Sequence, residues 1–337
     1  MLQCKTCFCD LNDVRDKLVN LLKNRGPDSQ NTVKFQDEKN GMNFYMHASL
    51  LWLRGSKPHI QPAKENENFL LWNGDLFNTN LPDNLSDTEY ISNKLSNAKD
   101  EKSVQQVFAQ LYGPGAYLYY KKSLDTIFFG RDIFGRHSLL ASVRSCHFIL
   151  SSIGFKGSDL TEVPALGIYE LTLGGGTQIP NIKLVTWANR TPVETEIKLP
   201  FGAYVSLDET LTPSVDTVLN NRIIKDLQDY ENLEKYLSCD MAKKAVDGLR
   251  NVLEISVAER VQAQPLFCKD CIKNKFSSQF EKRSCLHSKV AVLFSGGLDS
   301  TVLVYLAALS VNQGEKIDLL NVAFQQVGGL FNPILYG

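Results

Sequence analysis

The sequence predicts a mixed α/β chain in two unlike parts: an α+β first half of layered antiparallel sheets, then a short strand–helix–strand unit. Three observations carry this. Strand-length apolar runs recur through roughly the first 180 residues, each bounded by Gly, Pro, Asn or Asp turns. Few segments there repeat apolar residues at helical spacing, which favours antiparallel layers over a doubly wound sheet. Further on, an uninterrupted apolar run meets a glycine-rich turn and then a helical pattern.

Taken in order, Asp13–Asn24 spaces Val14, Leu18, Leu21 and Leu22 along one helix face, and Arg25-Gly26-Pro27-Asp28-Ser29 stops it. Strands are expected at Phe44–His47, Phe69–Trp72, Ala116–Tyr120, Ile127–Phe129 and His147–Ser151. Asn73-Gly74-Asp75, Gly113-Pro114-Gly115 and Gly174-Gly175-Gly176 supply turns between and after them. Pro180, Pro192, Pro200 and Pro213 lie in polar sequence and predict an irregular connection with some extended structure. A helix follows over Asp240–Val261, with Ala245, Val246, Leu249, Val252, Leu253 and Val257 on one face. Val290–Phe294 has the continuous apolarity of a strand buried on both faces. Thr301–Ser310 continues as a helix with Val302, Leu303, Leu306 and Leu309 inward, and Ile317–Phe324 supplies a second strand, completing a βαβ unit.

Composition narrows the function classes. With 36 basic against 37 acidic residues, the net charge of −1 offers no electrostatic basis for nucleic acid or anionic membrane as a main partner. There is no run of about 18 apolar residues to span a bilayer. The opening Met1-Leu2-Gln3-Cys4-Lys5-Thr6-Cys7 lacks the apolar segment of a secretory signal. Eight cysteines in such a chain point to reduced thiols and a cytoplasmic location.

Ser295-Gly296-Gly297-Leu298-Asp299-Ser300 stands between the late strand and a helix start, where unpaired backbone N–H groups and the helix dipole converge on an anion. Adjacent glycines admit close approach of phosphate oxygens. Ser295 and Ser300 offer hydroxyl donors, and Ser300 also a helix cap. The Asp299 carboxylate suits Mg2+ held on a nucleotide. The loop is neither a Walker A sequence nor a dinucleotide fingerprint. A bare Gly-Gly here would be an ordinary strand-to-helix turn. The full hexapeptide in this setting resembles the PP-loop of the ATP pyrophosphatases, which include asparagine synthetase, GMP synthetase, argininosuccinate synthetase and tRNA-thiolating enzymes. The resemblance implies the start of a Rossmann-like PP-loop α/β domain with ATP and Mg2+ as cofactors. It implies pyrophosphate contacts from Ser295, Gly296, Gly297, Asp299 and Ser300, and adenosine beside the backbone of Leu293.

The first half is similar to asparagine synthetase at several places, in the right order. Arg25-Gly26-Pro27-Asp28 resembles that family's early turn. Gln61-Pro62 comes next, then Asn73-Gly74-Asp75-Leu76-Phe77-Asn78 resembles its Asn-Gly-Glu-Ile-Tyr-Asn. Ser86-Asp87-Thr88-Glu89 and Gly130-Arg131-Asp132-Ile133-Phe134-Gly135-Arg136 match further elements. Singly these are ordinary turns, but their order is not. They imply a glutamine amidotransferase type 2-like domain of the N-terminal-nucleophile, αββα layered fold over 1–185, a connection over 186–235, and a truncated asparagine synthetase (ATP pyrophosphatase) domain over 236–337. Glutamine, aspartate and ATP are the implied ligands. Asn73 and Gly74 occupy the oxyanion-hole positions, where an amide and a backbone N–H would face a developing negative charge. Asp87 would bind the substrate ammonium and Arg54 its carboxylate. In a second register His47-Ala48-Ser49-Leu50 resembles the family's His-x-Arg-Leu, which puts Ser49 at the arginine position.

The sequence departs from the family at its nucleophile. That residue is a cysteine directly after the initiator Met, whose free α-amine acts as base. Position 2 is Leu2, whose bulk protects the Met from removal; Cys4 could serve only after unusual processing or with a misassigned start codon, and Cys4, Cys7 and Cys9 are expected to be ordinary thiols. The βαβ unit offers two of the several parallel strands such a domain needs, and the uncharged segment 327–337 breaks its pattern. The expected protein is asparagine synthetase-like, by lineage an ATP-dependent ligase amidating aspartate with glutamine-derived ammonia, with glutaminase and synthetase inactive here. The alternative is a non-catalytic scaffold or binding protein retaining the fold. A sulfur-transferring tRNA enzyme fits poorly with the first-half motifs and the balanced charge. Cys268, Cys271, Cys285 and His287 offer four zinc ligands, but only Cys268-x-x-Cys271 has good spacing and the rest is lysine-rich, so unligated thiols and no metal are expected. His47, His59 and His137 lack any triad-like context and are expected to be structural or exposed.

Overall fold

A computed structural model describes residues 1–4, 11–39, 41–55, 57–77, 81–82, 85–144, 147–173, 182–187, 196–198, 204–211, 240–262, 268, 270–271, 285 and 287–322. Features expected at Cys7, Cys9, Asn78, Gly174-Gly175-Gly176, Pro180, Pro192, Pro200, Pro213, Phe324 and 327–337 lie outside these. The chain divides into two units, Met1–Asn220 and Asn221–Gly337.

The first unit opens with β1 (Leu2–Cys4), α1 (Asn12–Lys23), β2 (Ser29–Asp37) and β3 (Met42–Leu50). Gly26 ends the turn after α1 because a Cβ there would sit 2.1 Å from the Ser49 carbonyl oxygen. Next come β4 (Ala63–Glu65), β5 (Asn68–Gly74), α2 (Asp87–Ser96) and α3 (Glu101–Ala109). Both helices are capped from the sequence: the Ser86 hydroxyl accepts from Glu89 N, and Asp100 and Ser103 form a reciprocal box. Then follow β6 (Gly115–Lys121), β7 (Thr126–Arg131), β8 (Leu140–Arg144), β9 (His147–Ser151), β10 (Thr161–Glu162), β11 (Gly167–Thr172), β12 (Ile182–Trp187), β13 (Glu196–Lys198) and β14 (Tyr204–Leu211).

These strands make a six-stranded sheet ordered β10-β8-β9-β1-β3-β2 and an eight-stranded sheet ordered β13-β14-β12-β11-β7-β6-β5-β4. Only the β12–β14 pair is parallel. Period-two alternation puts one apolar face of each sheet toward the other. Leu2, Met42, Phe44, Met46 and Phe148 from the first pack with Phe69, Tyr120, Phe129, Tyr169 and Leu171 from the second. Tyr45, of opposite parity to Phe44, turns outward, where Arg15 of α1 lies over its ring. On the outer face of the second sheet, Ile91, Leu95, Val104 and Phe108 of α2 and α3 cover Leu70, Trp72, Tyr117 and Phe128. The result is the αββα layering implied by the resemblance.

Two expectations need correcting here. The first half holds more helix than anticipated, because α2 and α3 are short and polar outside a narrow buried stripe. The connection expected over 186–235 gives β13 and β14 to the second sheet, and the expected boundary at 185 falls inside β12.

The second unit contains α4 (Asp240–Gln262), β15 (Val290–Leu293), α5 (Leu298–Ser310) and β16 (Ile317–Leu320). The parallel register Val290↔Ile317 to Leu293↔Leu320 completes the expected βαβ. Its burial differs from expectation. Leu293 is 73% exposed, Val302, Leu303 and Leu309 are open, and only Leu306 of the four inward residues is buried. Val246, Leu249 and Val252 of α4 are also exposed. Two strands and their helices, among the described residues, present too little surface to cover these faces. No described helix is long and apolar enough to cross a membrane.

Candidate functional site

A cleft of about 390 Å3 in the first unit is lined by Asn73, Gly74, Arg54, Asp87 and Ser49, so the residues implied by resemblance, in both registers, converge there. Its geometry follows from the end of β5. Asp75 N donates to the Pro114 carbonyl at 3.0 Å, making that pair a hydrogen-bonded one and turning the N–H groups of Trp72 and Gly74 away from β6. Gln61 Oε1 accepts from Trp72 N at 2.8 Å, and Gln61 Nε2 reaches the Trp72 carbonyl and Thr88 Oγ1, across the cis Gln61–Pro62 bond. Gly74 N–H, two residues on, faces the same side. Glycine is required at 74 because a Cβ would lie 2.2 Å from the Pro114 oxygen. The Asn73 side chain turns to the sheet face opposite that of Trp72, and its Nδ2 is buried with no hydrogen-bond partner among the described residues.

Asp87 opens α2, where the helix dipole favours an anion. Its Oδ2 accepts from Leu76 N at 3.0 Å and its Oδ1 from Arg54 Nη1 at 3.1 Å. Burial pushes its carboxyl up, and the guanidinium and the Leu76 N–H offset that only in part. Arg54 uses Nη1 for Asp87 and for the Leu76 carbonyl, and among the described residues Nε and Nη2 have no such bond. The pair therefore holds one cation and one anion side by side in the cleft.

His47, His59 and His137 were expected to be structural or exposed; all three line the cleft. Burial lowers each of them, against the upward pull of Glu89 on His59 and of Asp75 and Asp132 on His137. No spacing in the sequence signals them, because they come from separate segments. The Arg131–Arg136 turn supports this wall: Arg131 Nε donates to the His137 carbonyl at 2.7 Å, and Asp132 accepts from Gly115 N, Phe134 N, Arg136 N and the Arg136 guanidinium. Leu2, at the position matching the family nucleophile, is 1% exposed and points into the inter-sheet core. Burial pushes the Met1 amine, which donates to the Tyr45 carbonyl, down to about 5.

In the second unit Gly297 caps α5 without a side-chain acceptor, so the first-turn N–H groups keep no side-chain cap. Ser300 does not cap the helix as expected; it sits inside the first turn, its hydroxyl donating to the Gly297 carbonyl at 3.0 Å and lying 3.3 Å from Ser295 Oγ. Gly296 has φ +80 with open space beside it, and Asp299 is exposed. Leu293 ends β15 at the loop. These residues fit a pyrophosphate and its Mg2+. Cys268, Cys271, Cys285 and His287, expected to be unligated, are brought together instead: their ligand atoms all lie within 4.8 Å of one another.

No family model matches the chain. Over 334 aligned residues, 94% of this chain, it is 31% identical to "Asparagine synthetase domain-containing protein CG17486" of Drosophila melanogaster, covering 57% of that protein. It is 32% identical to "Asparagine synthetase domain-containing protein 1" of Bos taurus, over 93% of this chain and 53% of the other. Over more than nine-tenths of its length the chain is homologous to asparagine synthetase domain-containing proteins. The human member is 30% identical over 93% of the chain, and the chain spans about half the length of these curated relatives. Among solved structures, the B. subtilis glutamine phosphoribosylpyrophosphate amidotransferase complexed with ADP and GMP aligns with 34% of this chain and 30% of its own, at 16% identity and TM-score 0.28. This homology accounts for the ordered motifs that meet in the cleft.

Proposed function

We propose that this chain carries the glutamine-recognising and nucleotide-recognising parts of an asparagine synthetase-like protein, with glutamine bound but not hydrolysed. The observation that carries the first half is the Asn73 amide donor, buried at the cleft with no partner among the described residues. Such a donor costs about 1–3 kcal/mol, and a ligand carbonyl removes that cost. In this reading Asn73 Nδ2 and Gly74 N–H hold the side-chain amide oxygen of glutamine, Asp87 its ammonium, and Arg54 Nε and Nη2 its carboxylate. Hydrolysis is disfavoured because none of the described residues lining the cleft is a cysteine. The uncapped α5 terminus and the open Gly296 support Mg-ATP at the second unit, with phosphate oxygens on the loop N–H groups and on Ser295, and Mg2+ at Asp299. ATP would supply an adenylating group there. Amidation of aspartate with ammonia is the lineage's reaction and belongs to the whole protein of which these parts are typical.

Calorimetry on the full chain tests both halves. Glutamine should bind, Asn73→Ala should weaken it about tenfold, and no ammonia should appear. Ammonia released in proportion to protein would overturn the reading that glutamine is bound but not hydrolysed, and silence toward glutamine would overturn the cleft assignment. Mg-ATP should bind, and Gly297→Val should abolish it; equal affinity in both would refute the loop assignment.

A further inference from the structure

We propose that Cys268, Cys271, Cys285 and His287 form a structural zinc site that clamps the entrance of the strand feeding the phosphate loop. All four belong to the second unit, and three are free thiols rather than disulfide sulfurs. His287 Nδ1 lies 3.3 Å from both Cys268 Sγ and Cys271 Sγ. Tetrahedral zinc with bonds of about 2.3 Å to sulfur and 2.0–2.1 Å to nitrogen sets neighbouring ligand atoms about 3.5–3.8 Å apart, so the two imidazole–sulfur pairs open slightly and no pair has to close by more than about 1 Å to admit the ion, all four atoms lying within 4.8 Å of one another. A disulfide would join two of the sulfurs and leave the imidazole and the third thiol without a reason to converge. Cys268 N also donates to Cys285 Sγ at 3.1 Å, an N–H bond to sulfur that favours the thiolate form a metal needs.

Four protein ligands fill a tetrahedral zinc shell and leave no open position, which assigns the site a structural task. The three thiols bind as thiolates and release their protons to solvent, while His287 binds through the Nδ1 lone pair with its proton on Nε2. Cys268 and Cys271 come after α4, and His287 lies just before β15. The ion therefore ties the segment following α4 to the start of β15. A two-stranded sheet with exposed apolar faces has little core to hold that join, and a metal clamp supplies what burial does not.

The test uses the full chain purified under reducing conditions from zinc-supplemented growth. Elemental analysis should find about one zinc per chain, and Co2+ exchanged into the chelated protein should give the visible bands of a tetrahedral thiolate site. Cys285→Ser and His287→Ala should each lose most of the bound metal, whereas Cys146→Ser should keep it. Because a ligand variant can misfold, Co2+ titration of the wild-type chain stands as a separate readout. Absence of zinc together with no tetrahedral cobalt spectrum would overturn the proposal. So would a Cys268–Cys271 disulfide as the main species in the reduced, zinc-fed preparation, or full metal retention in both ligand variants.

Discussion

Asn73 sets stability against recognition at a single side chain. Its Nδ2 is buried and unpaired among the described residues, so removing the donor removes a penalty. Asn73→Leu, close in volume, should raise unfolding free energy by about 1–2 kcal/mol in urea melts while weakening glutamine binding. A loss of stability would mean that the amide has a partner in the resting protein. At this scale sequence brought Asn73, Gly74 and Asp87 together because each sits inside an ordered motif, and all three line one cleft; Ser300, read as a helix cap, instead bonds the Gly297 carbonyl from within the first turn. Arg54 and Ser49 competed for one role, and both face the cleft. That Cys268, Cys271, Cys285 and His287 come together was not signalled by their spacing, because spacing along the chain says nothing about how a segment folds back. His59 and His137 were missed for the same reason.

Among the elements, the Arg131–Arg136 turn shows how a motif builds a wall rather than performs chemistry. Burial pushes the Asp132 carboxyl up, but the bonds from Gly115 N and from Arg136 outweigh this and hold it below the usual carboxylate range. A depressed folded value contributes stability above the unfolded value of about 3.9 and loses it as pH falls through the folded one. Asp132→Asn should therefore cost about 2–3 kcal/mol near neutrality. The gap from wild type should narrow below about pH 4 in urea melts run across pH; a gap independent of pH would show that charge plays no part. The same scale explains which elements were readable. β3, β5, β6, β7 and β9 carry long aromatic or β-branched runs, whereas β2 alternates Val33 and Phe35 with polar residues and escaped notice. α2 and α3 announce themselves chiefly by their caps. β15 and α5 were placed correctly, but their burial was not, since a continuous apolar run shows a preference for cover without supplying it.

For the whole molecule, the decisive question is where the first unit ends. Prolines and polar sequence suggested a connection from 186, yet β12 is a fully engaged strand: Ile182, Leu184, Val185 and Trp187 are buried, β11 flanks it on one side and β14 runs parallel on the other. Single-strand propensity could not reveal this, because β14 gains its order from parallel pairing with β12 and β13 from pairing with β14. Burying four such side chains is worth on the order of 8 kcal/mol at about 2 kcal/mol each, comparable to the roughly 5–15 kcal/mol net stability of a whole domain. A fragment covering 1–220 should then unfold in one cooperative urea transition with the Asn73 cleft intact. A fragment covering 1–185 cuts β12 short, loses Trp187 and β14, and leaves β11 beside an incomplete, aggregation-prone edge. It should aggregate or melt without cooperativity by circular dichroism. Equal stability of the two fragments would show that β12–β14 are appended to the layered fold rather than part of its core, and would return the boundary to 185.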